Sequence, residues 1–457
     1  MEPELPVSKR FLPISEYQDE VTSIWNELST TDFFREYTSI KWAFLVKPRA
    51  DERRIRRAFN KLTERHDSLR LRFVEFPSGY KAEIQSKHPT GLIVEDFGEM
   101  DHNDMMREVN NRAQRLLSVF DDALFQMHLL RFGKMGDVVL THVHHAVVDG
   151  YSIVLLIEEL LKHALSLPVM NKPIGHAEFI AHRLRELKKV DKDNILYWEE
   201  ELLPVASPMN IGRVAKGLPP LTGLGELYET VQIPSLFSKP EATALSQISQ
   251  ESGYSHYSYM FAAFSDVICE ESGSDHALIN CIIGRKDAAL SSFIGPEMQS
   301  ITLNIPYSPN QSIHEKAKIV SRKIREGADH SPTNAFRKNG AIDKSFHASG
   351  RRRNQFLVHI PQSPGRIKNS PFSNLFYKAM AGKVSFGLIT IERLDLEKTN
   401  FTNFELSLTM EEGSDGLVAM LSSDKMGFGI DDLNRIRNKL ADKLFSTSDH
   451  GHAGGNG

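Results

Sequence analysis

The sequence predicts an α/β protein made of two layered halves, each with a mixed sheet. Three observations predict it. The chain has 457 residues, more than one hydrophobic core usually serves. Helix-period and strand-period segments are mixed in both halves, without the regular alternation of a barrel or a doubly wound sheet. A stretch punctuated by proline and glycine, PVMNKPIG at 168–175, then separates the halves. The expected division is residues 1–172, residues 173–449, and a glycine-rich tail, 450–457, too polar to pack and so disordered.

Residues 15–30, SEYQDEVTSIWNELST, read as a helix, and KWAFLV at 41–46 as a strand. Ile55, Phe59 and Leu62 fall at i, i+4 and i+7, so one apolar face predicts a helix over about 50–66. Strands near 69–75, 83–85 and 92–97 follow, then a helix over about 103–119. LFQMHLLRF (124–132) and DVVLTHVH (137–144) are strands, and SIVLLIEELLKHAL is a strong helix directly after them. A long polar helix at about 176–202 ends in LYWEEEL. In the second half, YETVQIP reads as a strand, and KPEATALSQISQESG and YSHYSYMFAAFSDVICEES as helices. HALINCIIGR, ITLNIP, NQFLVHIP, VSFGLITIERL, FELSLTME and GLVAMLSSD each read as one strand, and IDDLNRIRNKLADKLFS closes the chain as a helix.

The composition is that of an ordinary soluble globular protein, 40% hydrophobic and 25% charged with a net charge of −4. It argues against a nucleic-acid or membrane binder. The two cysteines, Cys269 and Cys281, form no CxxC pair, so neither a disulfide framework nor a thiolate zinc site is expected. The start, MEPELPVSKRFLP, lacks the apolar core of a signal peptide, and no apolar run is long enough to span a membrane. A cytoplasmic protein is the expectation.

THVHHAVVDGYS at 141–152 packs three histidines and an aspartate into an apolar run. His142 and His144 would share one face of a strand, as an HxH metal pair does, but no third ligand stands nearby and no metal is expected. Asp149 could be a helix N-cap, and the histidines could be packed. His145, where strand gives way to loop, could instead serve as a general base, since an ordinary imidazole is mostly neutral near pH 7. This stretch alone leaves packing and catalysis both open.

HHAVVDG at 144–150 matches the HHxxxDG signature of the condensation domains of nonribosomal peptide synthetases and their relatives. RHDSLRLRF (65–73), DGYSIVLLIEEL, NILYWEEEL (194–202), CIIGRKD (281–287), FIGPEMQSITLNIP (293–306) and the stretch 403–436 resemble further elements of that family, in its order. No adenylation or carrier segment is visible, so the chain resembles a free-standing condensation enzyme.

The resemblance implies two chloramphenicol acetyltransferase-like halves in a V-shaped pseudo-dimer with a central tunnel. Carrier proteins deliver acyl groups into such a tunnel as phosphopantetheine thioesters. His145 would be the catalytic base toward an amine or hydroxyl acceptor, and the Gly150 N–H would help hold the oxyanion. His144 would be packed. Asp149 would be structural, paired with Arg285 across the halves. Arg65 and His66 would be fold contacts. Gln299, where relatives carry asparagine, and Ser152 would line the tunnel. No bound cofactor is implied, and a monomer is expected. The basic runs 53–57, 182–189 and 351–353 are candidate docking sites for an acidic carrier.

Two rival readings accompany this one. They are a coenzyme-A-dependent O- or N-acyltransferase and a catalytically silent carrier-binding scaffold. The plant-type DFGWG element is absent, and GFG at 427–429 reads as a turn. An EGHGR-like element is also absent, which argues against epimerisation.

Overall fold

A computed structural model describes residues 11–28, 38–115, 117–170, 172–205, 209–218, 228–233, 236–284, 290–331, 333, 342, 355–359, 370, 372–376, 382–397, 401–402, 404–413 and 416–445. It has the expected fold class, with two α/β halves, each built on a mixed sheet.

The first sheet has six strands in the order Lys383–Phe386, Ile389–Leu394, Ser39–Lys47, Asp137–His144, Phe125–Arg131 and Ile93–Asp96. Only the last pairing is parallel. Side chains alternate across the strand Asp137–His144. Val139 and Val143 join the core under the helices Glu52–Arg65 and Gly150–Ala164. Val138 and Leu140 enter a second apolar layer with Met105 and Val109 of the helix His102–Ala113. With both faces covered, every residue of the strand is buried.

Two strands of this sheet come from residues 383–394, far down the second half of the sequence. VSFGLITIERL is therefore not one strand. Phe386 pairs with Ile389, so Gly387 and Leu388 form a two-residue hairpin loop. Gly387 has φ +59° and no other positive φ occurs in the loop, which makes it a type II′ turn.

The second sheet has seven strands in the order Gln299–Pro306, His276–Ile283, Phe356–His359, Leu406–Gly413, Gly416–Asp424, Tyr228–Ile233 and Phe401–Thr402. Phe356–His359 runs parallel to both neighbours. One face is covered by the helices Lys239–Ser252, His256–Ser272, Ile313–Asp329 and Ile430–Phe445. The helix His256–Ser272 is buried without a break from Ser258 to Cys269, because it packs against the sheet and against other helices. Among the described residues, no helix is long and apolar enough to cross a membrane.

The long helix His176–Leu202 links the halves. Trp198 sits in the second core, and its indole N–H donates to the His330 carbonyl at 3.0 Å. At the other end, Phe179 stacks on Phe293 with ring centroids 4.2 Å apart. The neighbouring Ile294 is buried in the core of the first half. The segment around 293–297, which enters the seven-stranded sheet, is thus also bound to the six-stranded one.

Candidate active site

The motif strand ends at His144, and a tight turn carries His145 to Asp149 before the helix Gly150–Ala164 begins. The turn is fixed from three sides. The His145 N–H donates to the Thr38 carbonyl at 2.6 Å. The Ala146 N–H donates to His144 Nδ1 at 3.0 Å, and the buried Gln18 amide donates to the Ala146 carbonyl at 3.0 Å. Tyr17, beside Gln18 on the helix Glu16–Leu28, places its ring centroid 5.4 Å from that of His145.

The three histidines differ in setting. His142 and His144 are completely buried within the sheet. Burial, with the charges of His128 and Lys41, pushes His142 down to about 3. Burial and the adjacent His145 do the same to His144. Both are neutral scaffold at any ordinary pH. His145 is only half-buried. Burial lowers its pKa too, opposed by hydrogen bonding to nearby backbone and by the Asp149 carboxylate. Of the three imidazoles, it alone combines a rigid mount with exposure. Among the described residues, no group of three or more His, Cys, Asp or Glu is arranged to hold a metal ion.

Asp149 is buried and uses both oxygens. Oδ1 accepts from the Ser152 N–H at 2.7 Å, which caps the helix. Oδ2 accepts from the Glu297 N–H at 3.0 Å, across 148 positions of sequence. Asp149 thus joins the helix start to the backbone of the segment 293–297. Arg285, its expected partner, lies outside the described residues.

Ser152 and Gln299, the expected tunnel-lining pair, are both engaged elsewhere. Ser152 is fully buried, and its hydroxyl donates to the Gly295 carbonyl at 2.8 Å and accepts from the Gly295 N–H at 2.9 Å. It is the second clasp on the same segment. Gly295 is needed there because a Cβ would fall 2.1 Å from the Phe293 ring. Gln299 begins a strand on the side shared by the buried Ile301 and Leu303, and its amide lies against Arg183 and Ser331. Arg183 in turn pairs with Glu16 at 3.1 Å, which ties the long helix to the helix that carries Tyr17.

Gly150 opens the helix, and its N–H lies in the first turn, where backbone donors have no partner within the helix. Its φ is not in the left-handed region, and a Cβ would meet nothing within 4 Å. Backbone geometry therefore does not demand glycine at this position. Arg65 and His66 pair with Glu159 of the motif helix at 3.2 Å and 2.8 Å. They hold that helix against Glu52–Arg65.

The family model described as "Condensation domain" matches residues 27–347. The chain belongs to the condensation-domain family. This condensation domain is 23% identical over 412 residues to one of the linear gramicidin synthase polypeptides of Brevibacillus parabrevis, covering 86% of this chain and 8% of that protein. It is 19% identical over 382 residues to surfactin synthase subunit 1 of Bacillus subtilis strain 168, covering 82% and 10%. The chain thus spans about a tenth or less of these relatives.

Solved structures share its fold. The first condensation domain of the calcium-dependent antibiotic synthetase aligns with a TM-score of 0.70 at 16% identity, covering 95% of this chain and 97% of that one. The X-domain from teicoplanin biosynthesis aligns at 0.72 and 14% identity, covering 96% of each. SgcC5 from Streptomyces globisporus, in complex with a naphthyl-ethanediol and sucrose, aligns at 0.66 and 18%, covering 95% and 98%.

Residues missed by sequence reasoning are Tyr17 and Gln18, which brace the turn. Neither stands in a motif. No one-dimensional signal marks a residue that reaches the site from another element.

Proposed function

We propose that this condensation domain transfers an acyl group from a carrier-protein phosphopantetheine thioester to an amine or hydroxyl acceptor in natural-product biosynthesis, with His145 as general base. The observation that carries this reading is the half-buried imidazole of His145, mounted on a turn anchored by Thr38, Gln18 and His144. Its lowered pKa keeps it in the base form at neutral pH.

An acceptor amine of pKa near 8 arrives mainly as ammonium and must shed a proton before it attacks. A hydroxyl must lose its proton as the new bond forms. An ammonium gives its first proton to solvent, and the free amine or the hydroxyl then gives one proton to His145 as the carbonyl carbon bonds to the acceptor and the C–S bond breaks. The departing thiolate recovers the proton from the imidazolium. The Gly150 N–H, at the positive end of a fifteen-residue helix, supports the tetrahedral oxyanion. Asp149 and Ser152 keep the two halves in register around this centre, and Asp149 with Arg285 is the further tie this reading supplies.

The test is transfer from an acyl-loaded carrier, followed by the mass of the carrier, with a panel of amines and alcohols. Unloading that disappears in His145→Gln supports the proposal. Turnover from acyl-coenzyme A alone would make the protein a coenzyme-A-dependent acyltransferase. Tight carrier binding without unloading under any acceptor would make it a scaffold.

A further inference from the structure

We propose that the first half carries a second ligand site, an apolar cavity with two arginines at its mouth, which takes a medium-chain carboxylate. The site stands apart from the reaction centre, and its argument does not depend on the acyl-transfer reading above.

The cavity lies between the six-stranded sheet and the helices Glu52–Arg65 and Gly150–Ala164. Ile391, Val46 and Val139 form its floor, one from each of three neighbouring strands. Ile55 walls one side, and Leu161 and Ala164 wall the other. The volume is about 60 Å³, several times the ~15 Å³ that one water needs. Polar partners for water are scarce there. The carbonyls of Leu161, Lys162 and His163, at the end of the motif helix, are taken by the N–H groups of Leu165, Leu167 and Ser166 at 2.9, 2.7 and 3.2 Å. Such a cavity favours hydrocarbon over water.

The mouth has a different chemistry. Arg49, Asp51 and Arg54 line it. Asp51 is committed to the helix start, where its side chain accepts from the Arg53 and Arg54 N–H groups at 2.9 and 3.2 Å. Its ion pair with Arg54 spans 3.6 Å with both side chains about half exposed, so that pair holds Arg54 only weakly. Arg49 lies 3.5 Å from the buried Asp137. Asp137 is already served by the Ala50 N–H at 2.8 Å and by Arg131 at 3.0 Å. Both mouth guanidiniums can therefore turn to an incoming anion at small cost. A guanidinium fork matches the two oxygens of a carboxylate. An apolar body under a cationic rim thus suits an aliphatic tail that ends in a carboxylate.

The cavity sits at the far end of the helix that begins at Gly150. Leu161 and Ala164 lie roughly 15–20 Å along that helix from Gly150, at 1.5 Å per residue. Val143, Leu155 and Leu156 are buried in the core between. The ligand would touch Ile391 of the late-arriving hairpin strand together with both first-half helices. Binding should therefore tie that strand down and raise the melting temperature.

Two measurements test this on the full chain. In calorimetric titration, octanoate should bind with one-to-one stoichiometry. Octanol should bind about tenfold more weakly, the equivalent of one charge-assisted hydrogen bond, and acetate should not bind. Arg49→Gln and Arg54→Gln should each weaken octanoate about tenfold, and Ala164→Phe, which fills the cavity, should abolish binding. Equal affinity for octanol and octanoate would overturn the carboxylate class.

The second measurement uses the unaltered protein, so it decides even where a variant fails to fold. Octanoate bearing a diazirine on its tail is photolysed with the protein, and peptides are mapped by mass. Adducts are expected on the peptides holding Ile55, Leu161 or Ile391, and excess octanoate should suppress them. Adducts confined to 144–152 would put the acid in the reaction centre and overturn the second site. Scattered adducts that octanoate does not displace, or no adduct and no heat of binding, would overturn it as well.

Discussion

Replacing Asp149 should loosen the bracket between the halves more than it damages the chemistry. Two contacts of the buried carboxylate carry the expectation, the cap on the Ser152 N–H at 2.7 Å and the bond from the Glu297 N–H at 3.0 Å. Losing an N-cap costs about 1 kcal/mol. Losing a charged acceptor for a partly buried N–H costs about 1.5–3 kcal/mol. Asp149→Ala should therefore lose about 3 kcal/mol. Asp149→Asn keeps one carbonyl oxygen, so one contact survives while its NH2 opposes the other N–H, and about 2 kcal/mol is expected. Urea unfolding reads both halves, because Trp42 is buried in the first core and Trp198 in the second. Ser152→Ala acts on the same 293–297 segment, so its effect should be non-additive with that of Asp149→Asn. An Asp149→Ala protein as stable as the original but inactive would refute the bracket and make Asp149 a participant in the chemistry.

Gly150→Ala should fold normally, since its Cβ meets no atom, and alanine favours the helix by up to about 1 kcal/mol. Alanine keeps that N–H, so a fall in turnover, about tenfold for one weakened hydrogen bond, would come from the Cβ crowding an acyl carbonyl held there, and an unchanged rate with unchanged melting would place no acyl group against the Gly150 Cα. The acid limb of kcat/KM should lie below pH 6.5, because burial lowers His145 and the base form is the active one. A limb above that value would point to another group. His142, His144 and His176 all have pKa values held near 3 by burial. Their folded values lie below the unfolded value of about 6.5, so each contributes stability that is full above that pH and is lost as pH falls toward 3, by up to about 1.4 kcal/mol per pH unit each. His176→Leu removes one such group, so acid unfolding, followed by circular dichroism, should become shallower and shift to lower pH.

The motif strand and helix are legible in the sequence because their periodicities are clean and the histidine-rich turn lies between them. His145 stands out for the same reason, since the first residue of a turn after a buried strand is where a rigid mount meets open space. The hairpin at 383–394 is hidden because its two loop residues, Gly387 and Leu388, sit inside an unbroken apolar run. Ser152 reads as facing substrate because nothing local reveals a hydroxyl satisfied 143 positions away by Gly295. Asp149 is readable as a bracket, but its backbone partner at Glu297 belongs to tertiary geometry.

The hairpin that completes the first sheet also bears on synthesis. Strand Ser39–Lys47 gains its outer neighbour only when Ile389–Leu394 arrives. From Lys47 to Ile389 the ribosome must add 342 residues, roughly 20–70 s at ordinary elongation speeds. For that interval a long, largely apolar strand has one edge open to any passing chain. Lys41 and Lys47 are the charges it carries, and lysines on an open edge are a common guard against pairing with strangers.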